Sequence, residues 1–324
     1  MPQYRTIFFS AALIVCLTGC RHTVQEKNQP LVTPPKTYSL AAADNASTLP
    51  PQWWQGLDDK LLARYIQEAL SDSFTLKEVL ARLKQVRLAA KQAYADLYPA
   101  ITAGGRTDAD LEDGGADLTG RIGVNLSWEA DLWGRLNAAS KAAALDADAA
   151  EEALQNLTLH LSIELADTYY RLIEQSLYQE LLQLQITADE TALDLIKLRF
   201  GNGAASLADV YQQKELLASI KAQLPQSKAE IVVLGNRLRV LLGRVPDSGE
   251  LPITDILPEP PPLPNLGIPA DLLLNRPDLR RLHREVAAAD YRVAEATAER
   301  LPALKLGASA GLSSSDFLLS IFAE

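Results

Sequence analysis

Past residue 20 the chain contains no cysteine; Cys16 and Cys20 are its only two. No disulfide framework can therefore brace the body of the protein. Aromatic residues are scarce at 6%, while Ala and Leu are plentiful, a composition that leans helical. Positive charge is in deficit: 31 Lys and Arg against 41 Asp and Glu give a formal net charge of −10. That balance argues against nucleic acid as a general partner, because phosphate binding needs a basic surface. His22, His160 and His283 are scattered without metal-ligand spacing, so no metal is expected. A Gly-rich phosphate loop, HExxH and GxSxG are all missing, which leaves neither an enzyme nor a cofactor indicated.

A spanning helix is not indicated at the N-terminus either. The apolar run IFFSAALIVCL at 7–17 falls short of the ~20 residues that a transmembrane helix needs. Behind Arg5 it reads as the core of a secretory signal over 1–19. It ends in Leu17-Thr18-Gly19-Cys20, which resembles a bacterial lipobox, with cleavage between Gly19 and Cys20. That resemblance implies N-acyl and S-diacylglycerol chains on Cys20, and Arg21 after it directs such lipoproteins to the outer membrane. An ordinary signal peptide with an incidental cysteine is the alternative. Lipid chains anchor a protein without spanning the bilayer. Residues 20–52 are polar, contain proline and show no hydrophobic period, as in an extended tether.

What is present is strongly periodic. A helical pattern runs from about 58 to 97 and ends at Pro99. Over 118–128 the spacing changes to two: Ile122, Val124, Leu126 and Trp128 alternate with Arg121, Gly123, Asn125 and Ser127. A weaker alternation at about 100–108, with Ile101 and Ala103 against Thr102 and Arg106, makes a partner strand. The acidic DADLEDGGAD between them is expected to be a hairpin loop. From Arg135 to Phe200 the chain contains neither Gly nor Pro. As one helix this stretch would reach roughly 100 Å. One stripe follows Leu154, Leu157, Leu161, Leu165, Tyr169 and Leu172. A second follows Leu159, Ile163, Ala166, Tyr170, Ile173, Leu177, Leu181 and Leu184. Two seams call for neighbours on both sides. Phe200-Gly201-Asn202-Gly203 stops the helix, and Ser206 with Asp209 resembles a capping box for a returning helix to 242, kinked at Pro225. The result is a long antiparallel helical hairpin over 135–242. A Pro-rich connector over 244–269 leads to helical spacing from 270 and a strand-like Leu304, Leu306, Ala308 after Pro302. Arg276, Arg280, Arg281 and Arg284, interleaved with Asp278 and Glu285, read as a solvated helical face.

LYPAITAGG at 97–105 and RLPALKLGA at 300–308 repeat one pattern, with Pro302 falling on Pro99. At the same offset Leu70/Leu273, Leu76/Leu279, Ala93/Ala296 and Gly104/Gly307 extend it. Helix, proline, strand recurs as a unit, first over 53–243 and again from 270 to 324. SWEADLWGR at 127–135, LRFGNGAASLADVYQ at 198–212, LLG at 241–243 and LLLNRPDLRRLHREV at 272–286 resemble the outer-membrane efflux family, TolC-like channels of tripartite RND-type pumps, in its lipoprotein branch. The resemblance covers about residues 50–324. It implies an α plus membrane-β fold. Three protomers share a 12-stranded outer-membrane β-barrel and a 12-helix periplasmic α-barrel, a passive conduit for exported drugs and toxic compounds. Ile122, Val124, Leu126 and Trp128 would then face lipid, with Trp128 in the aromatic girdle or else a core aromatic, and Thr102, Arg121 and Asn125 would line the pore. The hairpin tip, with Arg199, Phe200, Gly201, Gly203, Ser206 and Asp209, would meet a periplasmic adaptor (membrane fusion) protein beside an inner-membrane transporter; caps alone explain its glycines, Ser206 and Asp209 equally well. The implied location is the outer membrane, extending into the periplasm. Relative to the family the second repeat looks C-terminally truncated, which implies that the fragment neither closes a barrel nor conducts alone. The competing reading is a periplasmic adaptor or scaffold lipoprotein, which would have no use for the strand at 118–128.

Overall fold

A computed structural model describes residues 52–112, 115–246, 251–259 and 275–314. The signal peptide, Gly19, Cys20, the tether, the run Pro260-Pro261-Pro262 and residues 315–324 lie outside the described residues. The described chain forms a 3-10 turn (Trp53–Leu57), α1 (Lys60–Asp72), α2 (Phe74–Ala95), β1 (Ala100–Glu112), β2 (Gly115–Ala130), α3 (Arg135–Gly201), α4 (Leu207–Leu241), α5 (Pro277–Glu299) and β3 (Leu304–Ser314). Two compact units share these elements, one holding residues 82–153 and 277–314, the other residues 52–81 and the described part of 154–276.

The helical unit has a core built by spacing. Asp59 starts α1 by accepting from the amides of Leu61 and Leu62, at 3.0 and 2.9 Å. Leu62, Tyr65, Ile66 and Ala69, at steps of three and four, are then buried along one face. They pack with Leu161, Leu165, Tyr169, Leu172 and Ile173 of α3 and Leu234 and Leu238 of α4. So the first apolar stripe of α3 fills this core. The second stripe is divided: Ile173 is fully buried, whereas Leu159, Ile163, Leu181 and Leu184 remain exposed. The helical pattern expected to run unbroken over 58–97 is instead interrupted at Ser73, whose ψ of 127° leaves the helical region. Gly243, at φ 76°, lets α4 end against α1; a Cβ there would sit 2.7 Å from the Asp72 carbonyl oxygen. Arg244 clasps Glu68 with two hydrogen bonds of 2.6 and 2.7 Å beside it. Leu251 and Ile253 of the connector pack on the same core, and the Tyr65 hydroxyl donates to the Pro252 carbonyl at 2.8 Å. Helix α4 runs through Pro225.

The other unit is a sheet continued by helices. Its three strands lie in the order β1-β2-β3, both neighbours antiparallel to β2. The strands are longer than the alternation suggested. Pairing continues from Asp108–Thr119 through Asp110–Asp117 to Glu112–Gly115, so most of DADLEDGGAD belongs to the ladder and not to a loop. Backbone pairing wins there over the poor strand propensity of Asp and Gly. On the helices, Ala138, Ala142, Ala149, Ala288 and Ala298 are buried, small enough for close backbone approach. Arg87 pairs with Glu151 at 2.8 Å and Arg280 with Glu152 at 2.6 Å, while Arg292 pairs with Asp146. Arg280, read from sequence as part of a solvated face, therefore joins α5 to α3. Among the described residues no helix is long and apolar enough to cross a membrane.

Candidate functional site

The sheet sorts its side chains completely. Residues paired across antiparallel strands share a face. Ile101, Ala103 and Gly105 of β1 therefore stand beside Leu126, Val124 and Ile122 of β2, and beyond them lie Ala308, Ala310 and Leu312 of β3. Trp128 continues this face next to Leu306. Over these rows it is apolar and bare, with Ile101 71% exposed and Leu312 83%, and Thr107 follows in the next row. On the opposite face Thr102, Asn125 and Ser309 form one row, Gly104, Gly123 and Gly311 the next, and Arg106, Arg121 and Ser313 the one after. Arg106 pairs with Asp108 at 3.3 Å, which relieves the like-charge contact with Arg121. Ile122, Val124, Leu126 and Trp128 thus lie on one side, and Thr102, Arg121 and Asn125 on the other.

Ile101 and Ala308 flank the same residue, Leu126. The sequence repeat, by contrast, matches Ile101 to Leu304, because it places Pro302 on Pro99. The two related strands are therefore staggered by the interval from Leu304 to Ala308, four positions. A slide of this kind tilts strands in a closed barrel.

From the end of β2 to the start of α3, the segment 127–135 commits nearly every polar group it has. Trp128 Nε1 donates to the Leu97 carbonyl at 3.1 Å, and Trp133 Nε1 donates to the Pro302 carbonyl at 2.9 Å. The Asp131 carboxylate accepts from the amides of Leu136 and Asn137 at 3.2 and 2.9 Å, capping α3. Glu129 receives two hydrogen bonds from Arg135, at 3.1 and 2.7 Å, and lies 3.9 Å from Lys305 Nζ. That pairing raises the Arg135 guanidinium above its ordinary value. Gly134 takes φ 79° to close the turn. Sequence reasoning noticed Trp128 and missed Trp133, since nothing in the spacing reveals a partner as far along the chain as Pro302.

At the other end of α3 the turn is built from caps. Ala204 N donates to Arg199 O at 2.8 Å and Gly203 N to Phe200 O at 3.0 Å, with Gly203 at φ 75°, a Schellman arrangement. Ser206 Oγ accepts from Asp209 N at 3.2 Å, and the Asp209 carboxylate accepts from Ser206 N at 2.8 Å, which completes a capping box. The Ser206 backbone bond, then its hydroxyl, hold the Asp209 carboxyl below the usual value. Gly203, Ser206 and Asp209 are therefore spent on shaping the turn. The apolar side chains presented here are Phe200 and three that the sequence reading passed over, Leu198, Leu207 and Tyr211. Arg199 lies in the last turn of α3, where positive charge suits the helix end. Gly201 has open space around its α-carbon.

In the helical unit, the Tyr170 hydroxyl is buried without a well-formed hydrogen bond. Burial, and then the charge of Asp59, push its phenol up to about 12. Among the described residues no group of His, Cys, Asp and Glu could hold a metal ion.

Comparison with known proteins assigns this architecture. The chain is 28% identical over 332 residues to the probable efflux pump outer membrane protein SepC of Pseudomonas putida, covering 96% of this chain and 68% of that one. It is 28% identical over 326 residues to the pyoverdine export outer membrane protein OpmQ of Pseudomonas aeruginosa, covering 95% and 68%. It is 30% identical over 283 residues to the solvent efflux pump outer membrane protein SrpC of Pseudomonas putida, covering 83% and 59%. Among solved structures, the outer membrane protein VceC of Vibrio cholerae superposes with a TM-score of 0.71 at 26% identity, over 82% of this chain and 66% of that one. CusC shares the fold, with a TM-score of 0.74 at 22% identity over 93% and 68%. The family model for outer membrane efflux proteins matches residues 65–244. With more than half of its length under that model, the chain belongs to the outer membrane efflux protein family, the outer-membrane components of efflux pumps.

Proposed function

We propose that this chain forms part of the wall of a trimeric efflux channel. Its strands enter a shared outer-membrane β-barrel and its long helices line a periplasmic α-barrel. The observation that carries the reading is the sheet: three strands in register with one bare apolar face and one polar face. An apolar face of this kind suits acyl chains, whereas the row Thr102–Asn125 and the row of Arg121 suit a hydrated path. The stagger between the related strands and the exposed part of the second stripe of α3, Leu159, Ile163, Leu181 and Leu184, support neighbours on both sides. The solutes pass by diffusion, with no bond made or broken. Solvent and pyoverdine, the cargoes named for two relatives, differ widely, which favours an inner-membrane transporter as the selecting component. At the tip, Phe200 with Arg199 and the turn Gly201–Asp209 would receive a periplasmic adaptor. Lipid chains on Cys20 would add an anchor to the same membrane.

Fractionation tests the reading directly. The protein is expected to remain in the outer membrane through a high-salt wash, to need detergent for release, and to migrate faster unheated than boiled on a denaturing gel. Release by salt alone would overturn it.

A further inference from the structure

The two helix-to-strand corners pose the same problem. A carbonyl that follows the last helical hydrogen bond and precedes the first ladder bond has no backbone partner assured. Leu97, just after α2, and Pro302, just after α5, both stand in this position. The cost of such a gap rises where water thins out at a membrane boundary. Indole groups have the converse need, because a Trp N–H packed against protein requires an acceptor. Trp128 and Trp133 supply a donor to each corner, at 3.1 and 2.9 Å. Trp128 comes from the last residues of β2 and Trp133 from the short link that follows it to α3, and this stretch is itself fixed by the Glu129–Arg135 pair and the Asp131 cap.

We propose that Trp128 and Trp133 are positioning residues, two arms of a single clamp that sets where β1 and β3 start along β2. Each arm acts on one strand. Trp128 holds the corner of β1 and Trp133 the corner of β3, so the stagger between the repeats is fixed from the strand lying between them. Both indole N–H groups are committed to the protein's own backbone, a role separate from the girdle position expected for Trp128. The proposal rests on the channel reading only for its consequence, a wall whose polar and apolar faces stay in phase. The clamp itself is tested without any channel activity.

Backbone amide hydrogen exchange, read by mass spectrometry on the full chain in detergent, separates the arms. Trp133→Phe keeps an aromatic ring, a smaller one, and removes the N–H. It is expected to speed exchange in 304–312 about fivefold, the size of one hydrogen bond, and to leave 100–108 unchanged. Trp128→Phe is expected to do the reverse. Equal acceleration of both strands by either variant, or no change in either, would overturn the proposal. The unsubstituted protein supplies a second measurement that does not depend on the variants folding. Indole N–H exchange at Trp128 and Trp133 should be slow, and exchange at the rate of a free indole at both positions would equally end it.

Discussion

The two units of this chain are stabilised in different ways. The helical unit buries large side chains to completion: Leu62, Ile66, Leu165, Tyr169, Ile173 and Leu238 have essentially no exposed surface. Its aromatic rings meet edge to face, as in Tyr65–Tyr169 and Tyr169–Tyr170. The sheet unit buries mostly alanines, spans its helices with ion pairs, and leaves its largest apolar groups uncovered. The first unit has a closed core of its own; the second has a bare apolar face, whose chemistry suits acyl chains.

The sharpest way to break this contrast is to truncate one leucine in each unit. Leu165→Ala should cost roughly 2–5 kcal/mol in chemical unfolding followed by far-UV circular dichroism, because a closed core cannot collapse around the hole. Leu312→Ala, on the bare face, should stay within about 0.5 kcal/mol. A charge reads the sheet's two faces instead. Val124→Arg is expected to lower membrane-inserted protein by an amount equivalent to about 2–4 kcal/mol, while the adjacent Asn125→Arg leaves insertion intact. Detergent-phase partitioning measures both, and equal losses would remove the distinction between faces. Alkali should act chiefly on the helical unit and should have no effect near neutral pH. Tyr65, Tyr169 and Tyr170 all have phenols raised by burial, Tyr170 to about 12 against an ordinary 10.0, whereas in the sheet unit the raised phenol, Tyr98, is held up by its hydrogen bond with Tyr94 at an exposed site. The unfolded chain loses these protons first. Stability of the helical unit is therefore complete below about pH 10 and falls as pH rises toward the folded values. Tyrosinate absorbance recorded against helical signal would show whether ionisation and unfolding coincide.

The sequence displayed whatever depends on short-range period. Ile122 to Trp128 alternates so regularly that both faces of β2 could be named, and the Gly-free, Pro-free stretch after Arg135 announced one long helix. The misreadings occurred where partners outweigh propensity. Asp108 to Asp117 looks like a loop because its residues suit turns, yet the ladder continues through both ends of it. Ser73 interrupts a helix without a proline or glycine to announce it. At the tip, capping chemistry was visible in Ser206 and Asp209, whereas the exposure of Leu198, Leu207 and Tyr211 is set by the turn's geometry and has no mark in the local sequence. Trp133 and Arg280 lie beyond any local reading, since Pro302 and Glu152, their partners, are remote in the chain.

The stagger between the repeats carries a rule about which changes this architecture can absorb. Four is even, and side chains along a strand alternate with a period of two. The related strands can therefore slide past one another and still present matching faces. One residue inserted at 96–100 or at 299–303 would turn every downstream side chain of that strand over, sending Ile101 or Leu306 toward water and Thr102 or Lys305 toward the apolar side. Two inserted residues would shift the strand along its neighbour and preserve its faces. Length variation at these corners is thus tolerated in pairs, and parity, more than residue identity, is what a repeat of this kind has to inherit.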